Sequence, residues 1–242
     1  MYYFDNAATT APSISSIEKA RVFNEQFYFN PSTLYSGALN CAKEIRLAKE
    51  NILKYLGATA HEVIFTSCGS ESDNMAILCS VKRGSYLTDL GEHSAVYKSF
   101  LELKNRGQKT FFAPLNSDGT VFTEKLYELA KENKVDFVSI VHVNNETGGI
   151  NDVNAIAKKL KEINPKIIFH VDGVQAYGKL PYRLSKDIDF YSISAHKING
   201  LKGVGALIRR KGVNLSPLIF GGGQEGGLRS GTENVFGIKV FE

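Results

Sequence analysis

The chain has 242 residues, 43% of them hydrophobic, which is enough to bury one sizeable core in one or two domains. Its formal net charge of +4 is small and its basic residues are scattered among acidic ones, so a nucleic-acid-binding surface is not expected. No apolar run approaches the ~20 residues of a membrane helix, so no membrane segment is expected. The N-terminus lacks a secretory signal pattern, and the three cysteines form no disulfide framework. We therefore expect a cytoplasmic protein.

Predicted helices and strands alternate along most of the chain. Several strands are rich in Ile, Val and Phe with little polar alternation, which is typical of a sheet covered on both faces. The pattern predicts an α/β fold, a three-layer α/β/α domain whose seven-stranded sheet is mostly parallel. In chain order the predicted elements are helix 38–56, strand 62–66, helix 71–82, strand 85–88, helix 93–106, strand 110–113, helix 123–133, strand 136–143, helix 153–163, strand 166–171, strand 188–194, strand 204–209 and the start of a helix at 234–241.

Ligands of such sheets bind outside the carboxyl ends of the strands, so the residues after each strand matter most. Strand 62–66 is followed by a turn of small residues, including Gly69 and Ser70, that opens a helix. Free main-chain amides at such a turn, with the helix dipole behind them, bind phosphate. The alternative is an ordinary helix start, for which Ser70 and Asp73 are also typical residues.

Two later strands end in polar residues. Asn144 and Asn145 follow strand 136–143 and either bind a ligand hydroxyl or form a turn. Asp172 closes strand 166–171, where a buried carboxylate is costly unless it meets a cation. That cation is either a protonated pyridine nitrogen or a nearby lysine or arginine.

Strand 188–194 delivers Lys197 to the same edge of the sheet. Most lysines are solvated surface charges, whereas a lysine desolvated in such a crevice has a lowered pKa and forms Schiff bases. The four segments offer a phosphate site, a partner for a basic ring nitrogen, a partner for a ring hydroxyl and an amine for an aldehyde. Together they predict one cofactor, pyridoxal phosphate.

Several short motifs resemble those of the class V aminotransferases, which are fold-type I pyridoxal-phosphate enzymes, and among them the cysteine desulfurases. The resemblance spans nearly the whole chain. It implies that residues 1–242 form the cofactor-binding large domain and that the N-terminal segment 1–12 packs on a small domain. The matching stretches are 3–10 (YFDNAATT), 30–32 (NPS), 66–74 (TSCGSESDN), 92–93 (EH), 142–148 (HVNNETG), 170–172 (HVD), 194–197 (SAHK) and 229–232 (RSGT).

The resemblance implies a role for each site residue. Lys197 would carry the cofactor as a Schiff base and then move protons, Asp172 would pair with the pyridine nitrogen, and His93 would stack on the ring and act in acid–base steps. Asn145 and Gln175 would lie near the ring hydroxyl. The implied phosphate ligands are Gly69, Ser70, Ser194 and His196, with Thr232 reaching the phosphate of a neighbouring subunit.

The resemblance also implies a reaction, the transfer of sulfur from L-cysteine to an enzyme thiolate, which leaves L-alanine and a protein persulfide. The chain would then be a pyridoxal-phosphate-dependent sulfurtransferase and a homodimer, and would pass sulfur to an acceptor or scaffold protein for iron–sulfur cluster assembly or other sulfur delivery. Because the family continues well beyond residue 242, we expect this chain to be truncated and inactive by itself.

The nucleophilic cysteine is expected beyond residue 242. Cys41 and Cys79 fall within helical patterns and are expected in the core. Cys68 stands beside the phosphate turn, where a helix N-terminus lowers the pKa of a thiol, but that end of the site is wrong for attack on the substrate sulfur.

Three alternatives stand beside this interpretation. Another class V enzyme, such as a selenocysteine lyase or a small-molecule aminotransferase, shares the motifs, and a non-catalytic α/β fragment that dimerises or docks partners needs no cofactor. Residues 221–226 match the dinucleotide pattern GxGxxG but lack the βαβ unit that should follow, so a nicotinamide dehydrogenase is not expected. The five histidines show no metal-ligand spacing, so no metal site is expected.

Overall fold

The computed structural model describes residues 2–242, so Met1, which belongs to the predicted N-terminal segment 1–12, lies outside the described residues. No helix within this range is both long enough and apolar enough to cross a membrane. Within the same range, one seven-stranded sheet comprises β1 His61–Thr66, β2 Ser85–Asp89, β3 Lys109–Ala113, β4 Phe137–Val141, β5 Ile168–Asp172, β6 Phe190–Ser194 and β7 Gly205–Arg210. The helices are α1 Ile14–Gln26, α2 Ser36–Leu56, α3 Gly69–Cys79, α4 Ser94–Asn105, α5 Thr123–Glu132, α6 Val153–Ile163 and α7 Val235–Phe241, with short 3-10 turns at Ala195–Lys197 and Glu225–Gly227.

The strands lie in the order β1-β7-β6-β5-β4-β2-β3. Every neighbouring pair from β6 to β3 is parallel, and β7 runs antiparallel to both β6 and β1. β1 therefore points the same way as β6, and the carboxyl ends of all strands except β7 meet at one edge of the sheet. The predicted mostly parallel, seven-stranded sheet is confirmed.

Helices cover both faces of the sheet, which confirms the three-layer prediction. Alternate residues of β1 show the division between the layers. Val63 and Phe65 belong to the core cluster under α2, α5, α6 and α7, whereas Ile64 packs with Met75 and Ala76 of α3 on the opposite face. Burial of each large apolar side chain stabilises the fold by roughly 1.5–3 kcal/mol, so these two clusters hold the helices on the sheet.

The predicted strands and helices are all present, with small differences at their ends. The strand predicted at 136–143 ends at Val141, because the chain then turns back and Asn144 N donates to Gly149 O (2.9 Å). α1 is absent from the predicted elements. Only Ala20 is buried in it, so the apolar periodicity that marks the other helices is weak there.

Asp189 holds the start of β6 in place. Its buried carboxylate accepts hydrogen bonds from Phe169 N of β5 (2.8 Å), Lys161 Nζ of α6 (2.6 Å) and Arg210 Nε of β7 (2.8 Å). A buried carboxylate is tolerated when it is paired and hydrogen-bonded in this way. These contacts tie three neighbouring strands together and so position the other end of β6, which carries Lys197.

Candidate active site

A cavity of about 260 Å³ opens at the edge where β1, β5 and β6 end. It brings together every predicted cofactor-binding residue except Thr232, although these residues are spread over more than half of the chain. The lining residues are Ala8, Cys68, Gly69, Ser70, Asp73, His93, Val141, Asn145, Asp172, Val174, Gln175, Ser194, His196 and Lys197.

The N-terminus of α3 forms one end of the cavity. The Cys68 side chain does not cap the first turn, and the first hydrogen bond of the helix runs from Ser72 N to Cys68 O (3.2 Å). The amides of Gly69 and Ser70 precede that bond, as an anion site requires. A Cβ on Gly69 would lie 2.7 Å from Val174 Cγ2, so glycine allows α3 to begin this close to the end of β5.

Ser194, the last residue of β6, lies at the same end of the cavity. It is buried, and its Oγ has no hydrogen-bond partner among residues 2–242. An unpaired buried hydroxyl is costly, so this atom fits a ligand oxygen. His196 lies two residues further on, and burial together with the nearby Lys197, Lys202 and Lys179 lowers its pKa.

Asp172 ends β5 and is only 4% exposed. Its Oδ1 accepts a hydrogen bond from Val174 N (3.0 Å). Burial, and then the neighbouring Asp73, raise the pKa of Asp172 above the usual range of a carboxyl. A cation against this carboxylate would offset the cost of burial, which is the chemistry that a protonated ring nitrogen supplies.

Lys197 lies in the 3-10 turn directly after β6 and is half-buried. Its Nζ donates hydrogen bonds to the carbonyl oxygens of Ala7 and, at 3.0 Å, Ala8. Burial lowers the pKa of Lys197, although Asp172 and Asp5 act in the opposite direction. A lowered pKa increases the neutral fraction of the amine, which makes it a better nucleophile toward an aldehyde.

Three further predicted residues line the cavity between these ends. His93 caps α4, and its Nδ1 accepts a hydrogen bond from Ala95 N (3.2 Å). The Oε1 of Gln175 accepts a hydrogen bond from Lys179 Nζ (2.6 Å), so Nε2 is the amide atom that donates. Asn145 lies in the turn after β4. The imidazole and the two amides therefore offer a ring to stack on and donors for a hydroxyl.

Thr232 lies outside this cavity. It is exposed and lines a second hollow of about 100 Å³ together with Arg229. Arg229 Nε donates to Glu71 Oε1 (2.9 Å), and Glu71 in turn accepts from Ser67 N (2.8 Å). The loop that carries Thr232 is thereby tied to the start of α3, and its contact with a neighbouring subunit stays a prediction.

Asp73 lines the cavity, although its position in the sequence suggests only a helix-start residue. The structure buries its side chain, and Oδ1 has no hydrogen-bond partner among the described residues. Burial raises the pKa of Asp73 to about 7. The spacing of Gly69, Ser72, Asp73 and Ala76 places all four on one helix face, and this periodicity is the signal that predicts its burial.

The N-terminal strap, residues 7–13, is the second feature that the sequence does not locate. It runs along the turn that carries Lys197. Thr10 N donates to His196 O (2.8 Å), and Ser13 N donates to Asn199 O (2.8 Å). No local pattern predicts this contact, because the paired residues are separated by most of the chain.

Several buried carboxyls near the cavity influence one another. Burial raises the pKa of Asp89 to about 6 and that of Glu92 well above its usual range, and Asp89, Asp172 and Asp73 raise the pKa of Glu92 further. Neither oxygen of Glu92 has a hydrogen-bond partner within residues 2–242. Burial therefore favours the protonated form of these carboxyls when no cation is paired with them.

These residues fit pyridoxal phosphate. The uncapped start of α3 and the unpaired Ser194 Oγ suit a phosphate, the buried Asp172 suits a protonated ring nitrogen, and the Lys197 amine suits an aldehyde. In the described part of the chain, no group of three or more His, Cys, Asp or Glu side chains is arranged to hold a metal ion.

Comparisons with known proteins agree with this geometry. The family model described as "Aminotransferase class-V" matches residues 2–242. A cysteine desulfurase of Nostoc sp. is 39% identical over 241 residues, which are 98% of this chain and 60% of that protein. The cysteine desulfurase IscS of Dictyoglomus turgidum is 39% identical over 98% of this chain and 61% of its own length.

Solved structures are similar over the whole fold. A NifS-like protein superposes with a TM-score of 0.93 at 39% identity, covering 98% of this chain and 67% of that one. SspA in complex with cysteine gives a TM-score of 0.91 at 33% identity, covering 100% of this chain and 71% of that one. The chain thus spans about three fifths of the length of the curated relatives that it matches.

Proposed function

This chain belongs to the class V aminotransferase family, and on that premise we propose that residues 1–242 are the pyridoxal-phosphate-binding large domain of a cysteine desulfurase. One observation carries the proposal. Lys197, Asp172 and the unpaired hydroxyl of Ser194 meet in one cavity at the start of α3. The similarity to cysteine desulfurases over 98% of the chain supports the choice of this activity within the family.

The phosphate would be held where α3 begins. The amides of Gly69 and Ser70 and the Oγ of Ser194 supply hydrogen-bond donors, and His196 lies beside them. Thr232 of a second copy would complete this end in a homodimer.

The ring would lie between Asp172 and His93. Asp172 would keep the ring nitrogen protonated, His93 would stack on the ring, and Asn145 and Gln175, which line the same cavity, would donate to the ring hydroxyl. When bound, the cofactor supplies an aldehyde and a ring that withdraws electrons from the α-carbon of the substrate. Lys197, whose amine lies in the same cavity, would hold the cofactor and would later move a proton at the α-carbon of the substrate.

The reaction class follows from L-cysteine as substrate. One molecule of L-cysteine and one enzyme thiol give one L-alanine and one persulfide, so the carbon–sulfur bond breaks and a sulfur–sulfur bond forms without an external oxidant. The thiol acts as its thiolate. We place this activity in cytoplasmic sulfur delivery, such as iron–sulfur cluster assembly, with an acceptor or scaffold protein as partner.

The N-terminal segment 1–12 has a further proposed role. Tyr2 and Phe4 are 90% and 91% exposed, which is unusual for large aromatic side chains. We propose that they pack on the small domain of the whole protein, while the strap behind them stays on the large domain.

Borohydride reduction tests cofactor binding. The chain is incubated with pyridoxal phosphate, reduced, digested and analysed by mass spectrometry. We expect one label, on the peptide that contains Lys197, because reduction fixes the amine to the aldehyde carbon. Lys197→Ala should lose the label, and Lys202→Ala, a neighbouring exposed lysine, should keep it. Folded protein without label would contradict the proposal and favour a non-catalytic α/β fragment.

A second experiment tests the substrate. The protein that contains this chain is loaded with pyridoxal phosphate and given L-cysteine, L-selenocysteine or an amino donor with a keto acid. We expect alanine and persulfide in equal amounts from L-cysteine, and neither product from the Lys197→Ala protein. Turnover restricted to selenocysteine, or to amino-group transfer, would assign the chain to one of the other class V activities.

A further inference from the structure

The hydroxyl of Thr10 links the two ends of the turn that carries Lys197. Thr10 Oγ1 donates a hydrogen bond to His196 O (2.9 Å) and accepts one from Asn199 N (2.6 Å). The main-chain N–H of Thr10 also donates to His196 O (2.8 Å). One side chain therefore satisfies a carbonyl just before the lysine and an amide two residues after it.

The main chain of the turn 196–199 does not supply a hydrogen-bond acceptor for the Asn199 amide. A hydrogen bond from Asn199 N to His196 O would be the ordinary i to i+3 bond of a 3-10 helix. The Thr10 hydroxyl stands between these two atoms instead, and Asn199 has a left-handed backbone with φ of 65°. Such a conformation is strained for a residue other than glycine, although asparagine tolerates it best, so the turn depends on contacts from outside.

The same strap also contacts the reactive amine. Lys197 Nζ donates to the carbonyl oxygens of Ala7 and Ala8, and Gln175 Nε2 donates to Ala7 O (2.8 Å). Thr9 Oγ1 lies 3.1 Å from His196 Nδ1. The strap thus holds the main chain on both sides of Lys197 and the end of its side chain at once.

We propose that Thr10 is a positioning residue for Lys197, whose hydroxyl holds the turn 196–199 so that the amine is presented to an aldehyde in the cavity. The inference rests on the proposed function, because it gives a reason for the lysine to be oriented. Thr10 is not among the residues that line the cavity, and it acts through its contacts with the main chain of the turn. Misplacing a reacting group by a fraction of an ångström is costly, so the loss of this one hydroxyl should be measurable.

The test compares wild type with three variants. Thr10→Val keeps the shape of threonine and removes the hydroxyl, Thr10→Ser restores the hydroxyl, and Thr33→Val is a matched control. Thr33 is a half-buried threonine outside the cavity whose Oγ1 donates to a main-chain carbonyl, that of Asn30 (2.9 Å). Far-UV circular dichroism establishes folding, and Thr10→Ala replaces Thr10→Val if the latter does not fold.

Two readouts are used. The first needs no cofactor and is the hydrogen-exchange rate of the Asn199 amide, which donates to Thr10 Oγ1. The second is the rate of pyridoxal-phosphate capture, followed by absorbance and by borohydride labelling of Lys197. In Thr10→Val we expect exchange to be faster and capture slower, each by about tenfold, the factor expected from the loss of one hydrogen bond. In Thr10→Ser and Thr33→Val, the exchange rate and the capture rate should both stay within about twofold of wild type, because the hydrogen bonds of the turn are kept.

The outcomes separate the two proposals. If wild type captures the cofactor and Thr10→Val matches it in both readouts, the role of Thr10 is overturned while the proposed function stands. Faster exchange with unchanged capture also overturns it, since the hydroxyl would then hold the turn without serving the amine. If wild type gives no label on Lys197, the proposed function fails and this inference fails with it.

Discussion

Buried carboxyls decide the chemistry of the site at the scale of single residues. Asp172 and Asp73 both line the cavity, and the pKa of each is raised because burial disfavours the charged form. A bound cation would lower the pKa of Asp172 again, since opposite charge favours the ionised carboxyl. Cofactor binding and the protonation of this acid are therefore coupled.

The pH dependence of stability tests the burial of Asp73. Its pKa is about 7 in the folded chain and near 3.8 when exposed, so between these values the folded state holds a proton that the unfolded state has lost. The free energy of unfolding therefore falls as pH rises from about 4 to about 7. Asp73→Asn lacks this dependence, and relative to it wild type should lose on the order of 2–4 kcal/mol over that range.

Urea denaturation of the cofactor-free chain at a series of pH values measures this difference. The lowered pKa of His142, about 4, adds a slope of opposite sign that is common to both proteins. His170, whose Nε2 lies 3.5 Å from Asp73 Oδ1, and Asp172, whose pKa Asp73 raises, respond to the substitution and belong to the measured difference. A difference between wild type and variant that is independent of pH would mean that Asp73 is not buried as described.

At the scale of one element, the start of α3 forms one end of the cavity. Gly69 lets the helix begin against Val174, and the uncapped first turn leaves its amides facing the cavity. A helix start of this kind combines several N–H donors with the positive end of the dipole. The α3 part of the proposed phosphate site is thus formed by main-chain amides, which explains why a motif of small residues marks it in the sequence.

Gly69→Ala tests the close approach. The new Cβ would lie 2.7 Å from Val174 Cγ2, so the start of α3 and the Val174 side chain must move apart, which changes this end of the cavity. We expect the affinity for pyridoxal phosphate to fall by about tenfold or more, in line with the 1–3 kcal/mol cost of overpacking. Fluorescence titration measures the change.

The double variant Gly69→Ala, Val174→Ala supplies the control. Removing Val174 Cγ2 leaves Ser194 Cβ as the next contact at 3.5 Å, which is an ordinary separation. The double variant should therefore recover most of the affinity, with Val174→Ala alone close to wild type. Equal loss in the single and double variants would show that the contact with Val174 is not the cause.

The sheet edge unites these parts at the scale of the whole molecule. Strands β1, β5 and β6 each deliver one part of the site to the same cavity, and the strap from the N-terminus crosses to the turn after β6. A ligand that bridges α3, β5 and β6 binds only when all of them are assembled. Cofactor binding should therefore stabilise the whole fold.

Thermal denaturation tests this coupling. Pyridoxal phosphate at one hundred times its dissociation constant should raise the free energy of unfolding by about 2.7 kcal/mol, because only the folded state binds it. For a chain of this size we expect Tm to rise by roughly 5–10 °C, followed by circular dichroism at 222 nm. The increase should be smaller in Lys197→Ala at the same concentration. An unchanged Tm in wild type would contradict assembly of the site from several elements.

The sequence by itself determined the seven strands, every helix except α1, and most of the polar site residues that follow the strands. Apolar runs and helical periods are local, so the seven strands could be predicted, and with them the delivery of Asp172 and Lys197 to one edge of a parallel sheet. The prediction of pyridoxal phosphate followed from the order of polar groups after those strands.

Only the tertiary structure decided which distant groups complete the site. The antiparallel direction of β7 and the contacts of Thr10 with the lysine turn, 186 and 189 residues away, depend on how the assembled layers meet. A local pattern records whether a residue is buried and with what period, but it does not record its partner. The bonds from Thr10 N to His196 O and from Ser13 N to Asn199 O form between main-chain groups that every residue carries, and for that reason they leave no signature in the sequence.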